Sequence, residues 1–75
     1  MHCFTPTAVE RDYARATAAN RGHRIAGRFR RMPASLSYAA SCVHCREFVA
    51  ILPAMPCYPS HYWGPAVTHD CREAN

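Results

Sequence analysis

The chain contains no lysine: all nine of its basic residues are arginine, set against only five acids. A GC-rich coding sequence produces such a bias without any functional demand. Glycine is nearly as scarce, with three in 75 residues, and none belongs to a loop of the kind that cradles phosphate. The carboxylates, Glu10, Asp12, Glu47, Asp70 and Glu73, form no obvious acid/base pair. Neighbouring Cys57 and His61, or His69 and Cys71, lack the orienting third group that nucleophile activation requires. The expectation is a protein that is not an enzyme and has no small-molecule substrate. Long apolar runs are also missing. The longest, Phe48 to Leu52, is far too short to cross a bilayer. The start, Met1 to Pro6, lacks the basic stretch and apolar run of a secretory signal. These absences predict a soluble, cytoplasmic protein with no membrane partner, in a compartment where thiols stay reduced.

What remains must fold with little material. A chain of this length buries only about 60% of the surface its unfolded form exposes, so small domains usually add disulfides, a metal or an oligomer. Five cysteines are present, Cys3, Cys42, Cys45, Cys57 and Cys71, and an odd number argues against a closed disulfide framework. The residues are read as one zinc-stabilised α+β domain over 1–75. A helix spans about 5–22, and a zinc-ribbon-like, mainly antiparallel β part spans 23–72.

The helical reading runs from about Pro6 to Arg21. Thr5 offers a cap and Pro6 suits the first helical position, while Thr7 with Glu10 forms an alternative capping box. Val9, Tyr13 and Ala16 recur at helical spacing as one modest apolar face, and Gly22 suits the exit in a left-handed conformation. In the segment 23–30, alternation places His23, Ile25, Gly27 and Phe29 on an inner face and Arg24, Arg28 and Arg30 outside. Further strands are expected over Ser37–Ser41, Glu47–Leu52 and Ala66–Thr68. Between the last two lies a proline-rich loop over 53–65, where Pro53, Pro56 and Pro59 match the three-residue turn of polyproline II.

Cys42-Val43-His44-Cys45 is the most specific signal. Two thiolates separated by two residues bind one tetrahedral ion from a single tight turn. A thioredoxin-like role needs a βαβ context, and haem attachment needs histidine where Arg46 stands; buried free thiols are the bland reading. Half a structural zinc site calls for two more ligands. His23, on an inward face, and Cys71, after the final strand, are the choices. His69, His44 and Cys57 remain open as replacements, and His2 and Cys3 sit at a terminus. A His-Cys-Cys-Cys set leaves no position for substrate, which makes the site structural.

Gly22-His23-Arg24, the Cys42–Cys45 turn followed by an apolar strand, and Gly64-Pro65-Ala66-Val67 ahead of Cys71 together resemble a set of small zinc-finger-like proteins of actinobacteria and their phages. The similarity covers about Tyr13 to Cys71. It implies His23, Cys42, Cys45 and Cys71 as the metal ligands and brings no activity with it. Such turns usually continue with glycine, where this chain has Arg46.

The surface supplies the remaining expectation. Arg21, Arg24, Arg28, Arg30 and Arg31 lie within eleven residues that contain no acid, and guanidinium forks suit phosphate. With Tyr58, Tyr62 and Trp63 as stacking faces, this reads as a nucleic-acid-binding module. The alternative is a protein-interaction module or accessory subunit, whose arginine face takes an acidic protein partner. In the bland reading the arginines are a solvated face, and Tyr62 and Trp63 complete a thin core.

Overall fold

Thr7 begins the first element. In the computed structural model, which describes residues 5–72, its side chain accepts from the Glu10 N–H, and the Glu10 carboxylate accepts from the Thr7 N–H at 2.8 Å. This capping box opens helix α1, Ala8–Ala19. The helix is shorter at both ends than the sequence predicts, because Pro6 precedes the cap and Asn20 closes the C-terminal end. Gly22, at φ 83°, turns the chain out of it.

Four strands follow: β1 (Arg30–Arg31), β2 (Tyr38–Ser41), β3 (Phe48–Leu52) and β4 (His61–Trp63), with a short helix α2 (Pro65–Thr68) after them. The strands pair in sequence order as an antiparallel meander, β1-β2-β3-β4. This is the expected α+β architecture, an N-terminal helix followed by an antiparallel sheet.

Alternation along β3 fixes the two faces of the sheet. Val49 and Ile51 point one way, into a cluster with Ala14, Ala18, Ala40 and Ala66. Phe48 and Ala50 point the other way, where the Phe48 and Trp63 rings meet edge to face at 5.5 Å. Opposite Ile51 stands Tyr62, whose ring lies 4.7 Å from that of Tyr13. Tyr62 therefore packs against the core, while Trp63 stays 39% exposed on the far face.

Several local expectations are corrected. The buried stripe of α1 is Ala14 and Ala18; Val9 and Tyr13 are 76% and 56% exposed. Small side chains let the helix lie close to β3, a packing signal that hydrophobicity alone ranks below valine and tyrosine. Of the strand expected over 23–30, only the Ile25–Cys42 bridge and Arg30–Arg31 pair. The segment 53–65 is not one loop. Met55 and Tyr58 exchange backbone hydrogen bonds of 2.9 and 3.0 Å around a two-residue tip, and the chain then enters β4. Ala66–Thr68 is helical because Pro65 occupies the first helical turn. Gly64 precedes it at φ 118°, where an added Cβ would come within 2.7 Å of the Phe48 carbonyl oxygen.

Candidate metal centre

Three separate pieces of backbone converge below the C-terminal end of α1. His23 follows the Gly22 turn, and its N–H bonds to the Ala18 carbonyl at 3.1 Å. Cys42 and Cys45 bracket the turn between β2 and β3, closed by Cys42 N–H to the Glu47 carbonyl at 2.7 Å and Arg46 N–H to the Cys42 carbonyl at 3.0 Å. Cys71 arrives beyond α2, anchored by its N–H to the Arg21 carbonyl at 2.8 Å. The Arg21 side chain reinforces that junction, donating to the Val67 carbonyl at 3.0 Å and to Asp70 at 3.2 Å.

One ligand atom from each of His23, Cys42, Cys45 and Cys71 lies within 4.8 Å of all the others. His23, Cys42 and Cys71 are buried and Cys45 is partly exposed. A tetrahedral ion with metal–sulfur bonds near 2.3 Å sets its sulfurs about 3.8 Å apart, and a sulfur and a nitrogen about 3.6 Å apart. The Cys42 and Cys71 sulfurs are 3.8 Å apart, and Cys45 Sγ is 3.4 Å from His23 Nδ1. The donor set fits one tetrahedral cation.

The surroundings prepare these donors. His23 Nε2 is 2.6 Å from the His69 carbonyl oxygen. A carbonyl only accepts, so Nε2 carries the proton and the Nδ1 lone pair faces the sulfurs, the usual arrangement of a ligating histidine. Cys42 Sγ accepts from the backbone N–H groups of Arg24 and His44, both at 3.4 Å. Burial works against ionising Cys42, yet the N–H groups of Cys45, His44 and Arg24, together with His23, hold its thiol well below the ordinary range. Burial, and then the Cys71 and Cys42 sulfurs beside it, push the Cys45 thiol up. Crowded thiols that resist joint ionisation are what a divalent cation relieves. Glu47, whose Oε1 is 3.7 Å from Cys45 Sγ and 4.0 Å from His23 Nε2, borders the cluster without joining it.

The alternative side chains lie outside the cluster. The His69 ring turns to Thr68 Oγ1 at 2.9 Å and only its carbonyl serves His23. His44 is exposed and contributes its backbone N–H, and Cys57 is exposed at the Met55–Tyr58 tip. His2 and Cys3 lie outside the described residues. Sequence reasoning missed the carbonyl of His69, the amides of Arg24 and His44, and Glu47. The two-residue spacing of a CxxC turn was the available signal for the His44 amide.

The five arginines are distributed differently from a single face. Arg21 is tied to the C-terminal segment, and Arg31 Nε donates to the Ser35 carbonyl within the β1–β2 turn at 3.1 Å. Arg24 and Arg30 are exposed, and Arg28 lines a cleft with Arg11 and Arg15 from α1. No helix among the described residues is long and apolar enough to cross a membrane. Compared with known proteins, the chain matches no family model, no curated protein and no solved structure. No comparison supports the resemblance to actinobacterial and phage proteins; the cluster supports only a small domain able to hold a metal.

Proposed function

We propose that this chain is a zinc-binding module in which the ion is structural, and that its biochemical role is binding rather than catalysis. The convergence of His23, Cys42, Cys45 and Cys71 within 4.8 Å carries the reading. Three thiolates and an imidazole in tetrahedral spacing favour zinc over harder cations, and a full protein shell leaves no position for substrate. The core gives the ion its importance. Among the described residues, five of the ten buried apolar side chains other than proline are alanine, and only Ile25, Val49 and Ile51 are branched aliphatics. So thin a core leaves stability to the ion that joins α1, the β2–β3 turn and the C-terminal segment. Bound zinc would fix those three segments against one another, and the protein's own groups keep His23 in the ligating tautomer and Cys42 ready to ionise.

The partner we infer is nucleic acid, bound through exposed arginines; the support is an excess of guanidinium groups over carboxylates. Binding of a labelled oligonucleotide by the zinc-loaded protein then weakens steeply with salt and is abolished by Arg28→Glu with Arg30→Glu. Salt-independent binding, or binding that survives both reversals, sinks this reading. A second reading, a protein partner, is favoured by the exposed Val9 and Tyr13, which line an open groove with Glu10, Ser60 and Tyr62. It predicts capture that resists nuclease and is lost in Tyr13→Ala.

A further inference from the structure

A cleft of about 310 Å³ opens between α1 and the loop that leads to β1, sharing no residue with the metal centre. Arg11, Arg15, Gly27, Arg28 and Phe29 line it, and no acid among the described residues does. Arg11 and Arg15 come from the segment where sequence reading found no basic cluster; they are four residues apart and so share one flank of α1. The fold brings them to Arg28.

Two of the three guanidinium groups are already held in place. Arg11 Nη1 donates to the Pro6 carbonyl at 2.8 Å. Arg15 Nη2 donates to the Gly27 carbonyl at 3.3 Å, and its guanidinium carbon lies 5.2 Å from the centre of the Phe29 ring. Each anchor uses few of the five N–H donors a guanidinium carries. The remaining contact, Arg15 to Asp12 at 3.5 Å, is an exposed pair that a ligand can replace at little cost. Charges fixed before binding lose less entropy when a ligand arrives.

We propose that this cleft binds the phosphate groups of a nucleic-acid backbone, an inference that rests on the nucleic-acid reading above and narrows it to a site. Guanidinium forks match phosphate oxygens two at a time. The cleft is lined by three guanidinium groups and, among the described residues, by no carboxylate. It offers no place for a base or an apolar peptide side chain, because Arg15 covers the one aromatic ring in it and that ring packs against the core. Tyr13 and Tyr62 cannot supply the missing stacking face. At 100° per residue, Tyr13 projects about 160° from Arg11 around the helix axis, and Tyr62 packs beside Tyr13. The site therefore reads phosphate and not sequence.

The test is fluorescence anisotropy of a short mixed-sequence single strand, labelled with fluorescein, against the zinc-loaded full chain over a range of salt. Arg11→Glu with Arg28→Glu is expected to weaken binding more than about tenfold, and to reduce the magnitude of the salt slope by about 1.4 for two lost phosphate contacts. Arg30→Glu with Arg31→Glu reverses the same charge outside the cleft and is expected to weaken it less than about threefold. Equal losses in the two double variants overturn the cleft while leaving nucleic-acid binding intact. Absence of binding by the wild type overturns both. Displacement of the strand by oligoglutamate, at the same charge concentration at which oligophosphate displaces it, overturns phosphate recognition in favour of an acidic peptide. If charge reversal lowers the melting temperature, Arg11→Gln with Arg28→Gln repeats the comparison. Titration with inorganic pyrophosphate then reads the site in the wild type: the Gly27 and Arg28 amide resonances are expected to move, and their remaining fixed contradicts the assignment.

Discussion

The sulfur atoms of Cys42 and Cys71 lie 3.8 Å apart although 29 positions separate them in the chain. One belongs to the turn after β2 and the other to the segment beyond α2, so their proximity brings together the two ends of the segment that carries β3, β4 and α2. A contact of that kind between two thiols contributes little unless an ion holds them.

Zinc removal is expected to abolish cooperative folding. Apparent zinc binding energies of about 10–16 kcal/mol in small fingers match or exceed the whole net stability of a typical domain, about 5–15 kcal/mol. Thermal melting of the reduced protein, followed in the near-ultraviolet with and without a strong chelator, checks this. A chelated sample with native signal and a cooperative transition would contradict it.

Gly64→Ala is expected to destabilise the zinc-loaded protein by about 2–3 kcal/mol, since it adds a strained φ and a backbone clash together. The contact with the Phe48 carbonyl oxygen at 2.7 Å is the cause. Denaturant unfolding measures it. A midpoint within error of wild type would mean that the Gly64 turn is free to shift away from β3.

Arg46 occupies the left-handed region at φ 69°, where most residues other than glycine are unfavourable. Arg46→Gly is therefore expected to stabilise the metal-loaded fold by about 0.5–1 kcal/mol, after allowing for the greater freedom glycine gives the unfolded chain. That is a rise of several degrees in melting temperature for a domain of this size, about 4–8 °C per kcal/mol. A lower melting temperature would assign the arginine side chain a stabilising contact that outweighs its backbone cost.

Glu10 joins two elements: it caps α1 through Thr7 and accepts from the Ala54 N–H at 3.0 Å. Partial burial opposes its charge, but the Thr7 and Ala54 hydrogen bonds win and its carboxyl sits below the ordinary value. A group with a lowered folded pKa contributes stability above its unfolded pKa and loses it as pH falls through the folded value. Glu10→Ala should cost about 1 kcal/mol at neutral pH, and the difference from wild type should shrink as pH falls from the ordinary glutamate value through the lowered one. A difference that is constant with pH would contradict the role of the carboxylate's charge.

Local chemistry made much of the fold legible in the sequence. The Thr7–Glu10 box, the Glu47–Leu52 run and the Cys42–Cys45 turn each carry their signal within a few residues, and each forms a local structure. Errors arose where a tertiary partner decides. Ala14 and Ala18 displace Val9 and Tyr13 from the buried stripe because β3 lies close beneath α1. The β4 strand was hidden among prolines, since its pairing with β3 depends on the Met55–Tyr58 reversal. Ala66–Thr68 is helical through Pro65 rather than extended through Val67. Within the cluster, His23 and Cys71 were readable as members by residue type and place. The role of the His69 carbonyl was not, because a backbone oxygen leaves no mark in a sequence.

Native mass spectrometry of the reduced protein counts the bound metal, on the wild type and on a Cys42→Ser, Cys45→Ser variant. One zinc ion per wild-type chain is expected, and none on the variant. Wild-type protein that carries no metal after exposure to zinc, or a variant that retains the ion, would contradict a structural centre built from His23, Cys42, Cys45 and Cys71.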